Sequence, residues 1–241
     1  MNPVAVVIGA GASKGLGAAL ARRFAAGGLR VVLAGRTQEK LTSLANEIVD
    51  AGGAAETCVT DTTHPEDVDH LFSFAESLGP LEVTLYNAGN NAIIPFSELT
   101  AEVFEKFWRI CCLGGFLVAQ RCLPTLLERG HGSLIFTGAS GSLRGKANFA
   151  HFASAKGALR NLAQSLAREY GPKGIHVAHV IVDGVIDGEM VRSRFGEYLE
   201  KLGPDALLKP DEMADSFWFL HQQPRSAWTH ELDLRPFTEQ W

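Results

Sequence analysis

The chain has 241 residues, 46% of them hydrophobic and 20% charged, a composition that suits one α/β domain spanning residues 1–241. Its formal net charge of −5, from 22 basic and 27 acidic residues, excludes bulk electrostatic attraction to nucleic acid or to an anionic membrane. The four cysteines (Cys58, Cys111, Cys112 and Cys122) lack the spacing of metal ligands or of a disulfide framework, so we expect reduced thiols, no metal site and a cytoplasmic protein.

Short aliphatic runs recur along the chain and are typical of strands that are buried on both faces of a sheet. We predict strands at Val4–Ile8, Arg30–Leu33, Ala55–Val59, Val83–Tyr86, Ser133–Phe136, His176–Val182 and Glu231–Leu234. The intervening segments carry apolar residues at helical spacing, such as Leu16, Leu20 and Phe24. This alternation predicts a Rossmann fold, a doubly wound parallel sheet with helices on both faces, which binds ligands beyond the carboxyl ends of its strands.

A glycine-rich segment, GAGASKGLG (9–17), connects the first strand to the first helix. Glycine lets the backbone turn tightly and approach a pyrophosphate, and the free amides of the helix start supply donors to it. The segment therefore predicts a dinucleotide site, although a glycine-rich turn without a ligand would read similarly. The expected contacts are Gly11, Ser13, Lys14, Gly15, Leu16 and Gly17.

The spacing Gly11-x-x-x-Gly15-x-Gly17 resembles the cofactor loop of the short-chain dehydrogenase/reductase family. The element Asn87-Ala88-Gly89, Asp61 after the third strand, and Lys156 in a helix opening near Asn148 are similar to further elements of that family, so the resemblance spans almost the whole chain. It implies an oxidoreductase that acts on a small carbonyl or alcohol. The further cofactor contacts that it implies are Asp61, Thr62, Asn87, Ala88, Gly89, Lys156, Gly184 and Ile186.

The end of the second strand indicates which dinucleotide is bound. NAD-preferring Rossmann proteins carry an acid there, and this chain has Gly35 followed by Arg36. Arg36 can form charge-assisted hydrogen bonds to a 2′-phosphate, and Lys14 in the glycine loop offers a second cation. We therefore expect NADP(H), unless both cations are ordinary solvated side chains.

The catalytic positions implied by the resemblance are depleted. Members of the family use Asn, Ser, Tyr and Lys, with the tyrosine one helical turn before the lysine, and here Phe152 precedes Lys156 by four residues. The serine position falls on Ala139 and the asparagine position on Cys111. Ser140 is the tentative replacement for the serine, although it could equally be a loop residue that caps local backbone.

Two segments at strand carboxyl ends are expected near a substrate: Asn90–Pro95, and Asp183–Pro210, which we expect to form a lid. In the second segment, Asp183-Gly184 replaces the family's Pro-Gly, and Gly188 falls at a threonine position. The apolar residues of the expected lid are Met190, Val191, Phe195, Tyr198 and Leu199.

Three functions stay open from the sequence. The first is an NADP(H)-dependent oxidoreductase with a modified site, and the second is a catalytically impaired NADP(H)-binding protein with a scaffold or sensor role. A structural module without cofactor is the third. The resemblance also implies a homodimer or homotetramer formed by helices around Phe104–Leu127 and Phe149–Tyr170, with no nucleic-acid or membrane partner. His151 is rotated away from Lys156 on its helix, so we interpret it as a core or interface histidine.

Overall fold

The structure is a computed structural model, and it describes residues 2–11, 13–188, 191–193 and 205–240. A seven-stranded parallel sheet has the order β3-β2-β1-β4-β5-β6-β7. The strands are β1 (Val4–Ile8), β2 (Arg30–Gly35), β3 (Ala54–Val59), β4 (Leu81–Tyr86), β5 (Ser133–Thr137), β6 (His176–Val182) and β7 (Glu231–Leu234). The predicted Rossmann sheet is confirmed. Strand β2 runs past the predicted end because Ala34 and Gly35 continue the ladder with β3, and β5 gains Thr137, which pairs with Val180.

Helices cover both faces of the sheet. They are α1 (Leu16–Ala26), α2 (Gln38–Asp50), α3 (Pro65–Leu78), α4 (Ala101–Trp108), α5 (Gly114–Arg129), α6 (Ala150–Tyr170) and α7 (Pro210–Gln222). Helices α1, α2 and α7 pack on one face in one hydrophobic cluster, and α3, α5 and α6 pack on the other face in a second cluster. Burial of both faces explains why the strands are apolar throughout rather than alternating.

Helix α6 begins at Ala150, two residues after the predicted start near Asn148. Asn148 has a φ of 68°, in the left-handed region, which a right-handed helix does not include. Its carbonyl accepts a hydrogen bond from the backbone N–H of Ile94, which ties the turn before α6 to the loop after β4. Two loops at the carboxyl edge of the sheet are thereby fixed to each other.

The strand order reverses at β1, since β2 lies on one side of it and β4 on the other. Such a reversal opens a crevice at the carboxyl edge of the sheet, where the loops after the two strands diverge. Gly9 leaves β1 with a φ of 84°, and a Cβ on it would lie 2.8 Å from the backbone nitrogen of Ala88 after β4. Glycine is therefore required for the two loops to lie this close.

One stretch of helix within the described residues, Ala101–Arg129, is long and apolar enough to cross a membrane by length and composition. The core helix of a soluble protein passes the same test, and half of the most apolar window is buried inside this structure. Val118 and Ala119 of the stretch belong to the cluster beneath the sheet. The four cysteines are free and buried.

Candidate active site

A groove crosses the carboxyl edge of the sheet at the reversal of strand order. One cavity, of about 230 Å³, lies at the end of β2, and a second, of about 630 Å³, reaches Lys156 and Phe152. Both cavities are lined by Gly9, Gly11, Gly89 and Asn90, so they are two parts of one groove. The groove has the place expected for a dinucleotide site in a doubly wound sheet.

The glycines of the first loop leave the middle of the groove open. A Cβ on Gly11 would meet no atom within 4 Å, so a ligand can approach this backbone freely. Gly17 has the opposite role, because a Cβ there would collide with the Gly9 carbonyl and push α1 away from the loop. These observations fit a loop that holds a pyrophosphate against the start of α1.

Cations and a carboxylate surround the cavity at the end of β2. Arg36 and Lys40 line it with exposed side chains, and Asp61 lines its other wall. Burial alone would raise the pKa of Asp61, but hydrogen bonds from the Thr63 amide (3.0 Å) and hydroxyl (2.8 Å) to its Oδ1, with the charges of His64 and Arg36, hold that pKa below its usual value. Asp61 is therefore an ionised acceptor at neutral pH.

Most of the predicted cofactor residues line the groove. Those that do so are Gly11, Gly15, Leu16, Gly17, Arg36, Asp61, Thr62, Asn87, Ala88, Gly89, Lys156, Gly184 and Ile186. Ser13 and Lys14 are exposed and do not line either cavity. The Ser13 hydroxyl donates instead to Glu47 Oε2 at 2.9 Å. Lys40, at the start of α2, lines the cavity beside Arg36.

Lys156 forms the floor of the second cavity. Its Nζ donates to the carbonyl oxygen of Thr137 at 2.8 Å, and the residue is only 4% exposed. Burial lowers the pKa of Lys156, while the neighbouring Cys111 thiol acts weakly in the other direction. The Nζ lies 5.9 Å from the centre of the Phe152 ring, which also lines the cavity. A buried ammonium with a lowered pKa can release a proton more readily than a lysine in water.

The loop after β5 supplies the opposite wall. Ala139 and Ser140 both line the cavity that contains Lys156 and Phe152, so the tentative hydroxyl of Ser140 is in the expected place. Ser142 is buried on the far side of the same loop, where its Oγ accepts from the Ala139 amide at 3.1 Å. Ser140 is thus the loop hydroxyl available to a ligand.

A third cavity, of about 410 Å³, adjoins Ser140 and Phe152 and opens between the loops after β4, β5 and β6. Its wall contains Asp183, which is 1% exposed. Arg144 donates to both carboxylate oxygens of Asp183, at 2.8 and 3.0 Å, and Arg235 lies 3.8 Å away. The ion pair joins the loop after β5 to the end of β6 and to the C-terminal segment.

Other sequence expectations have mixed outcomes. His151 is fully buried and its ring packs against Phe107 at 4.3 Å, which confirms a core histidine. Gly188 and Val191 line the second cavity. The remaining apolar residues of the expected lid lie outside the described residues; they are Met190, Phe195, Tyr198 and Leu199.

Several polar residues of the groove were not predicted as cofactor contacts, among them Thr37, Lys40 and Thr60. Lys40 lies in the first turn of α2, which begins two residues after Arg36, and a cation so close to Arg36 in the sequence was a usable signal. Asn90 and Asn91 line the second cavity immediately after the predicted Asn87-Ala88-Gly89 element. Their location was expected from the strand end, but nothing in their pattern indicated a contact.

Comparison with known proteins identifies the family. The profile described as short chain dehydrogenase matches residues 4–198. A short-chain dehydrogenase from Rhodopseudomonas palustris is similar in structure, with a TM-score of 0.84 and 40% identity over 98% of this chain and 100% of that one. A variant of actinorhodin polyketide ketoreductase, solved with NADPH, has a TM-score of 0.88 and 25% identity over 98% and 96% of the two chains.

A metagenomic short-chain oxidoreductase in complex with NADP has a TM-score of 0.82 and 26% identity over 98% of each chain. In sequence, an uncharacterised oxidoreductase of Staphylococcus aureus (strain USA300) is 28% identical over 98% of this chain and 97% of its own length. The matched profile and the Rhodopseudomonas structure cover nearly all elements that form the groove. The chain therefore belongs to the short-chain dehydrogenase family.

Proposed function

We propose that the chain is an NADP(H)-dependent oxidoreductase that acts on a small carbonyl, alcohol or related substrate through a modified active site. The observation that carries the proposal is the continuous groove, which begins at Arg36 and Lys40 and ends at the buried ammonium of Lys156. The similar ketoreductase and metagenomic oxidoreductase were solved with NADPH and NADP, and this supports the same choice here.

The residues present fit a dinucleotide phosphate. The open backbone at Gly11 would face the pyrophosphate, and Arg36 with Lys40 would hold a 2′-phosphate through charge-assisted hydrogen bonds. Asp61 would accept hydrogen bonds from the adenine, since its carboxylate is ionised. Lys156 would hold the nicotinamide ribose, as the family resemblance implies. The residue at the end of β2 is Gly35 and not a carboxylate, so no negative charge at that position would repel the phosphate.

Bound nicotinamide would supply or accept the hydride, and the chain must manage the charge that develops on the substrate oxygen. Phe152, in the family's tyrosine position, has no proton to give. Two groups that line the cavity could assist: the Ser140 hydroxyl and the Lys156 ammonium, whose pKa is lowered by burial. Loss of a general acid typically costs about 10²–10⁴ in rate. Substrates that need little acid assistance, such as an imine or an activated double bond, are therefore favoured.

A substrate panel tests this proposal directly. Purified protein is supplied with NADPH and, in turn, with carbonyls, enones and imines, and NADPH consumption is followed by absorbance. We expect turnover with at least one class, and a stronger response to enones or imines than to simple ketones. Absence of NADPH consumption with every class, from protein that binds NADPH, would refute the enzymatic proposal.

A second candidate is a catalytically impaired NADP(H)-binding protein with a scaffold or sensor role. Phe152, Ala139 and Cys111, at the family's tyrosine, serine and asparagine positions, favour it. This candidate predicts saturable NADPH binding without turnover, and a protein partner whose binding changes when NADPH is added. Steady turnover by the purified protein would exclude it.

We also propose that the chain self-associates through α4 and α5 as a homodimer or homotetramer. Phe104, Trp108 and Phe116 lie on these helices and are exposed by 37%, 37% and 43%. Large apolar side chains grouped on one face are typical of a protein interface. Sedimentation velocity should give a mass of two or four chains, and Trp108→Asp should shift it toward one. A monomeric wild type would refute this assembly.

A further inference from the structure

A chain of hydrogen bonds lies directly beneath the loop that carries Ser140, and it is buried at Ser142 and His179. Ser142 Oγ lies 3.4 Å from His179 Nε2, and His179 Nδ1 lies 3.1 Å from Glu231 Oε2. Arg160 donates to both oxygens of Glu231 at 2.7 Å. His179 itself is 0% exposed, in the middle of β6. A fully buried histidine with a partner on each ring nitrogen is a fixed part of the structure.

The direction of each hydrogen bond follows from the partners. Glu231 bonded to Arg160 is a carboxylate and can only accept, so His179 Nδ1 must carry the proton. The other ring nitrogen then accepts from the Ser142 hydroxyl. The lone pairs of that hydroxyl in turn accept from the Ala139 amide at 3.1 Å. Every link has a donor and an acceptor, so the neutral Nδ1–H form of His179 satisfies the whole chain.

The chain closes on the same helix that carries Lys156. Arg160 lies one turn after Lys156 on α6, and Lys156 Nζ contacts the carbonyl oxygen of Thr137 at the start of the loop. A Cβ on Gly138 would collide with the His179 ring, so the loop backbone rests directly on the histidine. Helix α6 is therefore connected to the loop twice: directly through Lys156, and through Arg160, Glu231 and His179.

We infer that His179, through Ser142, is a positioning residue that holds the loop 138–142 so that Ser140 and the Thr137 carbonyl face the Lys156 ammonium. Neither His179 nor Ser142 lines the groove, so neither contacts the substrate or cofactor. The inference rests on the proposed function only where a reaction rate is measured. Cofactor binding also depends on the geometry of the loop and of Lys156, so it gives a test that needs no turnover. Misplacement of a reacting group by about 1 Å can cost about 100-fold in rate.

The chain contains a matched control for the test. Ser133, at the opposite end of β5, is also buried and its Oγ lies 3.0 Å from His221 Nδ1. Ser142→Ala and Ser133→Ala each remove one Ser–His hydrogen bond, and Ser142→Ala also removes the bond that its Oγ accepts from the Ala139 amide. We expect both variants to have a lower thermal midpoint than the wild type, with the larger decrease in Ser142→Ala. Only Ser142→Ala should lower kcat, by roughly tenfold to a hundredfold, with a smaller change in KM, and only Ser142→Ala should weaken NADPH binding by several-fold.

Equal decreases in kcat and in NADPH affinity in the two variants, or no decrease in either variant, would overturn the inference. Nitrogen-15 NMR of the histidine rings gives a second measurement that needs no turnover. We expect His179 in the Nδ1–H form in the wild type and a changed Nε2 resonance in Ser142→Ala. An Nε2–H form would also overturn the inference. If the wild type binds NADPH without turnover, the enzymatic proposal fails, while the binding and NMR results still decide the role of His179.

Discussion

Under the proposed function, Phe152→Tyr should supply the proton donor that this site lacks. The ring of Phe152 lines the cavity and its centre lies 5.9 Å from Lys156 Nζ, so a phenol at this position would have a cation nearby. An opposite charge within about 4–6 Å lowers a pKa by roughly 1–3 units, which would bring the phenol pKa from about 10 toward neutrality. We expect a gain in kcat of about 10²–10⁴ on a ketone substrate, the usual contribution of a general acid.

Phe149→Tyr is the matched control for this experiment. Phe149 lines only the third cavity and not the one that contains Lys156. The Lys146 ammonium lies 5.9 Å from its ring centre, so both added hydroxyls have a cation nearby and only the one on residue 152 enters the proposed active site. Both variants are assayed by NADPH consumption on the same panel of ketones. Adding Ala139→Ser to Phe152→Tyr should raise the rate further, because a hydroxyl would then face the developing oxyanion. A Phe152→Tyr variant that binds NADPH but is no faster than Phe149→Tyr would refute the reasoning.

Three further predictions concern charge and stability. Lys156→Met should abolish turnover and weaken NADPH binding in a fluorescence titration, yet change the thermal midpoint little, because it removes the desolvation cost of a buried ammonium together with one hydrogen bond. Burial lowers the pKa of His179 to about 4 despite the adjacent Glu231 carboxylate, so between about pH 6.5 and pH 4 only the unfolded state takes up this proton. The free energy of unfolding, measured in urea, should therefore fall by up to about 3 kcal/mol as the pH falls to about 4. His179→Gln should reduce this loss. Asp183→Asn should cost about 2 kcal/mol in the same assay, below the usual value for a broken buried ion pair because Arg144 is 41% exposed.

Two outcomes would contradict the stability predictions. The charges of Lys156 and Arg160 add to the cost of protonating His179. A wild-type protein equally stable at pH 7 and pH 4.5 would therefore show that His179 is not held neutral. An Asp183→Asn variant as stable as the wild type would show that Arg144 finds another partner. Each result is read from the midpoint and slope of the urea transition.

The elements that the sequence predicted well are those with a strong local signal. Gly9 and Gly17 are required by contacts between backbones, and such glycines leave a readable spacing in the sequence. The apolar strands β1 and β6 were placed to the residue because both sheet faces are covered. Strands β2 and β5 were cut short because Gly35 and Thr137 are not aliphatic, although the parallel ladder includes them.

The parts that could not be predicted depend on contacts between distant segments. Lys40 lines the cavity beside Arg36 because α2 starts immediately after β2 and turns its first residues toward the groove, and the loop pattern that indicated Lys14 gave no sign of it. His179 sits inside an apolar run, and its partners Ser142 and Glu231 are 37 and 52 residues away in the chain. Only the arrangement of β6, β7 and the loop after β5 brings those three side chains together.

The central claim is that this groove binds NADP(H) in preference to NAD(H). It is tested most directly by titrating the wild type and Arg36→Ala with NADPH and with NADH, following tryptophan fluorescence. Charge-assisted hydrogen bonds contribute about 1.5–3 kcal/mol, so we expect the wild type to bind NADPH roughly tenfold to a hundredfold more tightly than NADH. Arg36→Ala should lose most of that preference, and Lys40→Ala part of it, with NADH binding nearly unchanged. Equal affinities of the wild type for NADPH and NADH would contradict the account.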